Sequence, residues 1–176
     1  QGKTKVGKNC TLGPDTQLTD VICGDGNHLN RVYAHSCELG DNNEIGPFVH
    51  LRPGTCLHND IKIGNFVEVK NSDVDDGTKL PHLIYCGDSD LGKNVNFGCG
   101  TVTVNFDGKN KHRCTIDEHA FIGCNTNLVA PVHIGARAFT AAGSTITKDV
   151  PAKALAVGRA KQVNIENWVK EDTYKD

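Results

Sequence analysis

The stretch LGDNNEIGPFVHLRPGTCLHNDIKIGNFVEV, residues 39–69, decides the fold. An aliphatic residue returns in it at every sixth position. Because a helix repeats its apolar positions every 3.6 residues and a simple strand every 2, this spacing fits neither. We interpret each unit of six as a short strand followed by a tight turn. The aliphatic positions are Leu39, Ile45, Leu51, Leu57, Ile63 and Val69.

The same period continues along most of the chain. It continues from Val69 to Thr103 with two five-residue steps, one to Val74 and one to Leu91, and again after one insertion from Ile116 to Ile146. Glycine often follows the aliphatic position, where we expect it to serve the turn. Repeats at a fixed short period indicate a solenoid. An irregular β-sandwich with accidental spacing is the alternative.

The composition of the 176 residues limits the classes of protein. Only 38% of them are hydrophobic and 6% aromatic, which predicts one domain with a thin core. The net charge of −2 gives no long-range attraction for nucleic acid or an anionic membrane. No apolar run is long enough to span a bilayer and no signal peptide precedes the repeats, so we expect a cytoplasmic protein.

The eight cysteines do not have the spacing of a metal or redox motif. They stand ten or more residues apart, without a C-x-x-C pair. We therefore expect most of them to be small packing residues, with neither disulfides nor a metal.

Stacking three units of six per coil brings distant residues onto neighbouring rungs, about 4.8 Å apart. Arg52 then lies next to Lys70. The two cations either form a local anion site or are simply two solvated charges. On another face a column begins at Asn65 and His82 and continues through small residues, leaving a slot for a long, thin ligand. A lone histidine there is either a base or merely exposed. The small residues are Cys99, Cys124 and Ala142.

Seven motifs carry a resemblance to a known family. Together they closely resemble the acetyltransferase domain of the bifunctional bacterial glucosamine-1-phosphate N-acetyltransferase and N-acetylglucosamine-1-phosphate uridyltransferase, a hexapeptide-repeat family. The motifs are IGPFVHLRPGT (45–55), IGNFVEVKNS (63–72), HLIYCGD (82–88), LGKNVNFGCGT (91–101), TVNFDGKNKH (103–112), LVAPVHIG (128–135) and ALAVGRAKQV (154–163).

The resemblance implies an all-β, left-handed parallel β-helix over residues 1–149. It also implies a projecting loop at 104–115 and a C-terminal tail at 150–176 that packs on or beyond the last coil with Trp168 and KEDTYKD. Family members are homotrimers with sites between subunits. Since the chain starts at Gln1 and has no methionine, we expect a uridyltransferase domain, using Mg²⁺ and UTP, to be missing before it.

The resemblance also implies roles for single residues in transfer from acetyl-CoA to glucosamine 1-phosphate. Phe106 stands where the family has tyrosine, and Cys124 where it has serine; a thiol is the weaker hydrogen-bonding group. His82 would be the catalytic base, and Arg52 and Lys70 would bind the phosphate. The amino sugar would be bound by Tyr85, Asn96, Asn105 and Phe106. Acetyl-CoA would be bound by Cys124, Ala142 and Arg159.

The chemistry implied needs a base and no metal. An amine at neutral pH is largely protonated, and an imidazole with its ordinary pKa of about 6.5 suits the removal of a proton. A backbone N–H would stabilise the oxyanion. We expect direct transfer, with an acetyl-enzyme on Cys124 as the alternative.

Three other functions keep the same fold. Acyl transfer to serine, a diaminopimelate precursor or an antibiotic would not need the Arg52–Lys70 pair. A zinc carbonic anhydrase would need three converging histidines. A scaffold that only trimerises or presents a flat face would need no site.

Overall fold

The computed structural model describes residues 1–170, and every regular element in that range is a short β-strand. The strands pair in parallel with strands one coil earlier or later, as Cys56 pairs with Glu38 and with Asp73. The chain is a left-handed parallel β-helix of about nine coils, which confirms the fold predicted from the period of six. No helix in the described range is long and apolar enough to span a membrane.

The coils have three flat faces. Two long strands, β11 (Lys62–Lys70) and β13 (Lys79–Gly87), turn a corner and belong to both the second and the third face. The first face has β1 (Lys5–Val6), β4 (Ile22–Cys23), β7 (Glu38–Leu39), β10 (Cys56–Leu57), β12 (Asp73–Val74), β14 (Ser89–Leu91), β17 (Cys114–Ile116) and β20 (Val132–Ile134). The second adds β2 (Thr11–Leu12), β5 (His28–Leu29), β8 (Glu44–Ile45), β15 (Asn96–Phe97), β18 (Phe121–Ile122), β21 (Phe139–Thr140) and β23 (Leu155–Ala156). The third adds β3 (Gln17–Thr19), β6 (Val32–His35), β9 (Val49–Leu51), β16 (Val102–Val104), β19 (Asn127–Val129) and β22 (Thr145–Ile146).

The period of six marks the core. All six aliphatic residues of the opening stretch are at most 3% exposed, and Phe97 is fully buried in a later coil. Four of the eight cysteines are buried and all eight are free thiols. Burial raises the pKa of the Cys37 and Cys86 thiols to about 11. These thiols pack as small apolar groups.

Glycine after the aliphatic position serves a different purpose from the one predicted. Gly98 does not have a left-handed backbone; a Cβ added there would lie 2.5 Å from the backbone nitrogen of Cys124 on the next coil. The left-handed φ falls two residues later in the unit, on bulky residues such as Phe66 (59°) and Leu83 (53°). At Gly98, glycine is therefore required by the close approach of coils rather than by the turn itself.

Two predicted boundaries shift. The inserted segment lies between β16, which ends at Val104, and β17, which begins at Cys114, and an antiparallel bridge joins Phe106 to Lys111 inside it. The β-helix also continues past residue 149, because Leu155 of β23 pairs with Phe139 of β21. Strand pairing therefore extends to Ala156, beyond residue 149.

The residues after the last rung, 157–170, are exposed. Trp168 is 75% exposed and Val163 is 79% exposed, so the described tail does not bury its apolar side chains on this chain. Most of the KEDTYKD segment, residues 171–176, lies outside the described residues.

Candidate active site

Three cations meet at the corner between the third and first faces. The register pairs Leu51 with Val69 and Lys70 with Gly87, so Arg52 and Lys70 lie on neighbouring rungs, as predicted. The inserted loop brings a third cation, Lys111, against Lys70. Contact with the Lys111 ammonium, together with burial, lowers the pKa of Lys70 from its usual value, although Asp88 acts in the opposite direction. Such a cluster is stabilised by an anion.

A buried carboxylate supports this corner. The side chain of Asp88 is 5% exposed and lies 3.7 Å from Lys70 Nζ. It accepts hydrogen bonds from Asn71 Nδ2, at 2.6 Å, and from Asn105 Nδ2. Burial opposes the charge of Asp88, but these donors and Lys70 keep its pKa below the usual value. Asp88 therefore fixes the positions of both a cation and an amide of the site.

Two of the predicted sugar contacts fold over Gly87. The Nδ2 of Asn105 lies 3.4 Å from the Tyr85 hydroxyl. A Cβ added at Gly87 would lie 2.5 Å from that hydroxyl and 2.8 Å from Asn105 Nδ2. Glycine is the residue that leaves room for both groups beside the cations.

Arg52 already has an anionic partner. Its Nη1 lies 2.7 Å from Glu68 Oε1, and the hydrogen bond with Glu68 raises the pKa of Arg52. Both side chains are about 40% exposed, Arg52 at 40% and Glu68 at 38%. An exposed pair of this kind contributes little stability, so Arg52 is available to exchange Glu68 for a phosphate.

The inserted loop is closed by its own hydrogen bonds. Asp107 accepts from the backbone N–H groups of Asn110, at 2.6 Å, and Lys109, at 2.8 Å, and its carboxylate lies 2.7 Å from His112 Nε2. These contacts, that with Asn110 first, hold the pKa of Asp107 well below its usual range. Phe106, at the base of the loop, is 55% exposed.

His82 lies on the corner between the second and third faces. Its rung neighbour on one side is Asn65. On the other side, the register that joins Lys79 to Asn96 and Tyr85 to Val102 brings Cys99 beside it. The His82 ring is exposed and has no hydrogen-bond partner within residues 1–170.

The column continues as predicted. Pairing of Asn96 with Phe121 and of Val102 with Asn127 aligns Cys99 with Cys124, and the next coil aligns Cys124 with Ala142. Both Cys124 and Ala142 are exposed. Arg159 returns to the far end of this column, where its Cδ lies 3.8 Å from the Cβ position of Gly143.

An aromatic strip lies beside the column on the second face. The rings of Phe121 and Phe139 stack with centroids 5.3 Å apart, and both remain exposed. Asn96 pairs with Phe121 and is therefore at the end of this strip, on a different face from Tyr85 and Asn105. The structure thus separates Asn96 from the other predicted sugar contacts of the same chain.

His82 and the cations stand at opposite corners of one face. His82 and Gly87 are five residue steps apart in β13, which at about 3.3 Å per residue is roughly 16 Å along the strand. Tyr85 lies between them. The long side chains of the cations have to cover part of this distance, or a second copy of the chain has to supply one corner.

The sequence reasoning missed Glu68, Asp88 and Lys111. Asp88 stands inside the HLIYCGD motif, and the unit of six gives no sign that its carboxylate turns inward. Lys111 stands in the one segment without a period, so its neighbours could not be inferred. The Lys109 and Lys111 charges in the loop were the available signal.

The fold and these two corners define a hexapeptide-repeat β-helix with a cluster of three cations and an exposed histidine. In sequence the chain is similar to the bifunctional protein GlmU: it is 52% identical over 169 residues to that of Geobacillus sp. (strain WCH70), and 51% identical over 170 residues to that of Carboxydothermus hydrogenoformans. These matches cover 96% and 97% of this chain but 37% and 38% of the relatives, so the chain spans little more than a third of their length. The match is to their C-terminal part, and the resemblance inferred from the motifs is confirmed.

Solved structures give a weaker likeness. A single-site mutant of AntD, an N-acyltransferase from Bacillus cereus in complex with dTDP-4-amino-4,6-dideoxyglucose and coenzyme A, has a TM-score of 0.48 at 16% identity, over 88% of this chain and 79% of that one. Arabidopsis UDP-N-acetylglucosamine acyltransferase has a TM-score of 0.44 at 14% identity, over 90% and 68%. No protein-family model matches the chain.

Proposed function

We propose that the chain transfers the acetyl group of acetyl-CoA to the amine of glucosamine 1-phosphate. The observation that carries this proposal is the cluster of Arg52, Lys70 and Lys111 at one corner of a chain 52% identical to a GlmU protein. Guanidinium and ammonium groups that lie close together repel one another, and a bound dianionic phosphate offsets this repulsion. The acceptor is therefore a phosphorylated sugar rather than a neutral amine.

The remaining contacts orient the sugar. Tyr85 and Asn105 lie against the cations and offer a hydroxyl and an amide to the ring hydroxyls. Phe106 and Asn96 are the other predicted contacts, and Asn96 reaches the sugar only from another face or another subunit. Holding the acceptor by its phosphate supplies part of the rate by positioning the amine.

The chemical step needs few groups. The amine attacks the thioester carbonyl, His82 takes a proton from that nitrogen, and the C–S bond then breaks to release CoA, whose sulfur takes up a proton. The backbone N–H of Cys99, on the rung beside His82, has no acceptor within residues 1–170. It is our candidate donor to the oxyanion.

The column of small residues is the proposed acetyl-CoA site. Cys124 and Ala142 leave a slot that leads away from His82, and the Phe121–Phe139 strip gives its wall an apolar surface. Arg159 at the far end can pair with a phosphate of the cofactor.

A trimer would complete this arrangement. Phe48 and Phe66 stack at 5.4 Å on the His82 corner and, with Leu83, are each more than half exposed. Contiguous apolar surface beside a site marks an interface. We propose that a second copy covers it, and that the exposed Trp168 tail is buried in the same assembly.

Acceptor specificity tests the proposal. With acetyl-CoA in excess, initial rates are compared for glucosamine 1-phosphate and for glucosamine. We expect kcat/KM to be at least about a hundredfold higher for the phosphorylated sugar, the scale of two or more charge-assisted contacts. The variant Lys111→Ala should lose part of this preference while Lys109→Ala, in the same loop, keeps it. Equal rates for both sugars would contradict the phosphate site.

A further inference from the structure

We propose that the first face carries a site for a divalent transition-metal ion, ligated by Cys56, His58 and Asp73. The preferred ion is of the zinc type. The three ligands lie on this face and are not among the residues of the cation cluster or the His82 corner, so the proposal does not rest on acetyl transfer.

The local fold brings the three ligands together. Cys56 and His58 stand two residues apart on one rung, so their side chains leave the same side of the sheet. Asp73 is the rung partner of Cys56 on β12. Their ligand atoms all lie within 4.8 Å of one another, and His58 Nε2 is 3.0 Å from Asp73 Oδ1.

The donor set suits zinc. One sulfur, one imidazole nitrogen and one carboxylate oxygen, with water in a fourth position, form a tetrahedral site. Bond lengths of about 2.0–2.3 Å put such ligand atoms roughly 3.3–3.7 Å apart. Only small side-chain rotations are needed, because Cys56 and His58 are partly exposed and Asp73 is exposed.

The Cys56 thiol has no hydrogen-bond partner among the described residues. The thiols of Cys10 and Cys37, by contrast, donate to backbone carbonyls. Glu38 lies on the other side of it, one rung away. Two carboxylates beside a thiol disfavour a bare thiolate and favour a cation that binds it.

Other clusters on this face are weaker candidates. His58 also lies near Asp75 and Asp76, but Asp76 is already bound by Lys93 Nζ at 2.8 Å and by Asn59. A second diagonal pair, His133 and Asp117 at 2.9 Å, lacks a sulfur ligand: the rung neighbour of His133 is Thr115, and the register places Gly135, not a cysteine, beside Asp117. The His133–Asp117 pair therefore serves as a control for metal binding on the same face.

Cobalt binding tests the site on the full chain. Co²⁺ is added to the reduced, metal-free protein, and the thiolate-to-cobalt charge-transfer absorption is titrated. We expect one equivalent per chain for the unaltered protein and for His133→Gln and Cys124→Ser. Cys56→Ser should abolish the band, and His58→Gln and Asp73→Asn should weaken binding at least about tenfold, the loss that removal of an outer partner already causes. A band that survives in Cys56→Ser, or that falls equally in His133→Gln, would overturn the site.

Protection of thiols gives a second readout without any substitution. Alkylation is followed by peptide mass mapping with and without Zn²⁺. We expect Zn²⁺ to slow modification of Cys56 and to leave Cys99 and Cys124 unchanged. Equal protection of all three, or of none, would contradict the proposal. Acetyl transfer by His58→Gln should match that of the unaltered protein, which separates this site from the proposed enzymatic function.

Discussion

His82 is exposed and free of hydrogen bonds within residues 1–170, so its imidazole is accessible to a substrate amine. We expect His82→Ala to lower kcat by roughly 10²–10⁴, the contribution of a positioned base, and to change the KM of either substrate little. Steady-state kinetics measures both. His28→Ala, an exposed histidine on the second face, is the matched control. A kcat within twofold of the unaltered protein would mean that another group is the base.

Asp88 shows what a buried residue does for the site. Its carboxylate accepts from Asn71 and Asn105 and faces Lys70. Asp88→Asn removes the charge and one acceptor, so we expect the free energy of unfolding to fall by roughly 1–3 kcal/mol. We also expect the KM for glucosamine 1-phosphate to rise more than that for acetyl-CoA. Denaturant unfolding and kinetics measure the two effects; unchanged values of both would contradict the network.

At the scale of elements, the inserted loop holds Lys111 against the cation corner. Asp107 closes this loop, and its pKa is lowered from 3.8 by the Asn110 N–H and then by His112. A lowered carboxyl pKa stabilises the closed loop above pH 3.8, and this stabilisation is lost as the pH falls below that value. At pH 7, Asp107→Asn should therefore raise the KM for glucosamine 1-phosphate and increase hydrogen exchange of the loop amides.

The control for the loop is acid titration of the unaltered protein. Its loop exchange should stay slow from pH 7 to about pH 5 and increase only in stronger acid, once the intrinsic pH dependence of exchange is corrected. Protection that is lost between pH 7 and 5 would contradict the role of the Asp107 carboxylate.

The strands and the core were predictable because a solenoid repeats one local rule. Leu39 and Ile63 are buried for the same reason, and three units per coil placed Arg52 beside Lys70 and His82 beside Cys99. Contacts that break the repeat were not predictable. Lys111 reaches Lys70 through the aperiodic loop, and Asp88 turns inward because Asn71 and Asn105 bind it.

At the scale of the whole molecule, the buried thiols report on the integrity of the coils. Burial raises the pKa of Cys37 to about 11 and that of Cys114 to about 12. Raised values and poor access make both unreactive near pH 8. We expect alkylation of the native protein to modify the exposed Cys124 first, and Cys37 and Cys114 only on unfolding. Mass mapping over a denaturant series should show the last two reacting together.

The assembly of the whole molecule can be tested at the apolar surface of the His82 corner. Phe66→Asp places a charge in the Phe48–Phe66 stack. If this stack is the interface of the proposed trimer, the molar mass measured by light scattering should fall to that of a monomer and acetyl transfer should decrease. Ile22→Asp, at a 54% exposed apolar residue of β4 on the first face, is the comparison outside that stack. A trimer that persists in Phe66→Asp would place the interface elsewhere.

Acetyl transfer itself tests the central claim most directly. The protein is incubated with acetyl-CoA, with and without glucosamine 1-phosphate, and released CoA and acetylated sugar phosphate are quantified by chromatography and mass spectrometry. We predict equal amounts of both products, formed only when the sugar phosphate is present and at least about a hundredfold more slowly with His82→Ala. Release of CoA independent of the acceptor, or no acetylated sugar from an intact trimer, would contradict the account.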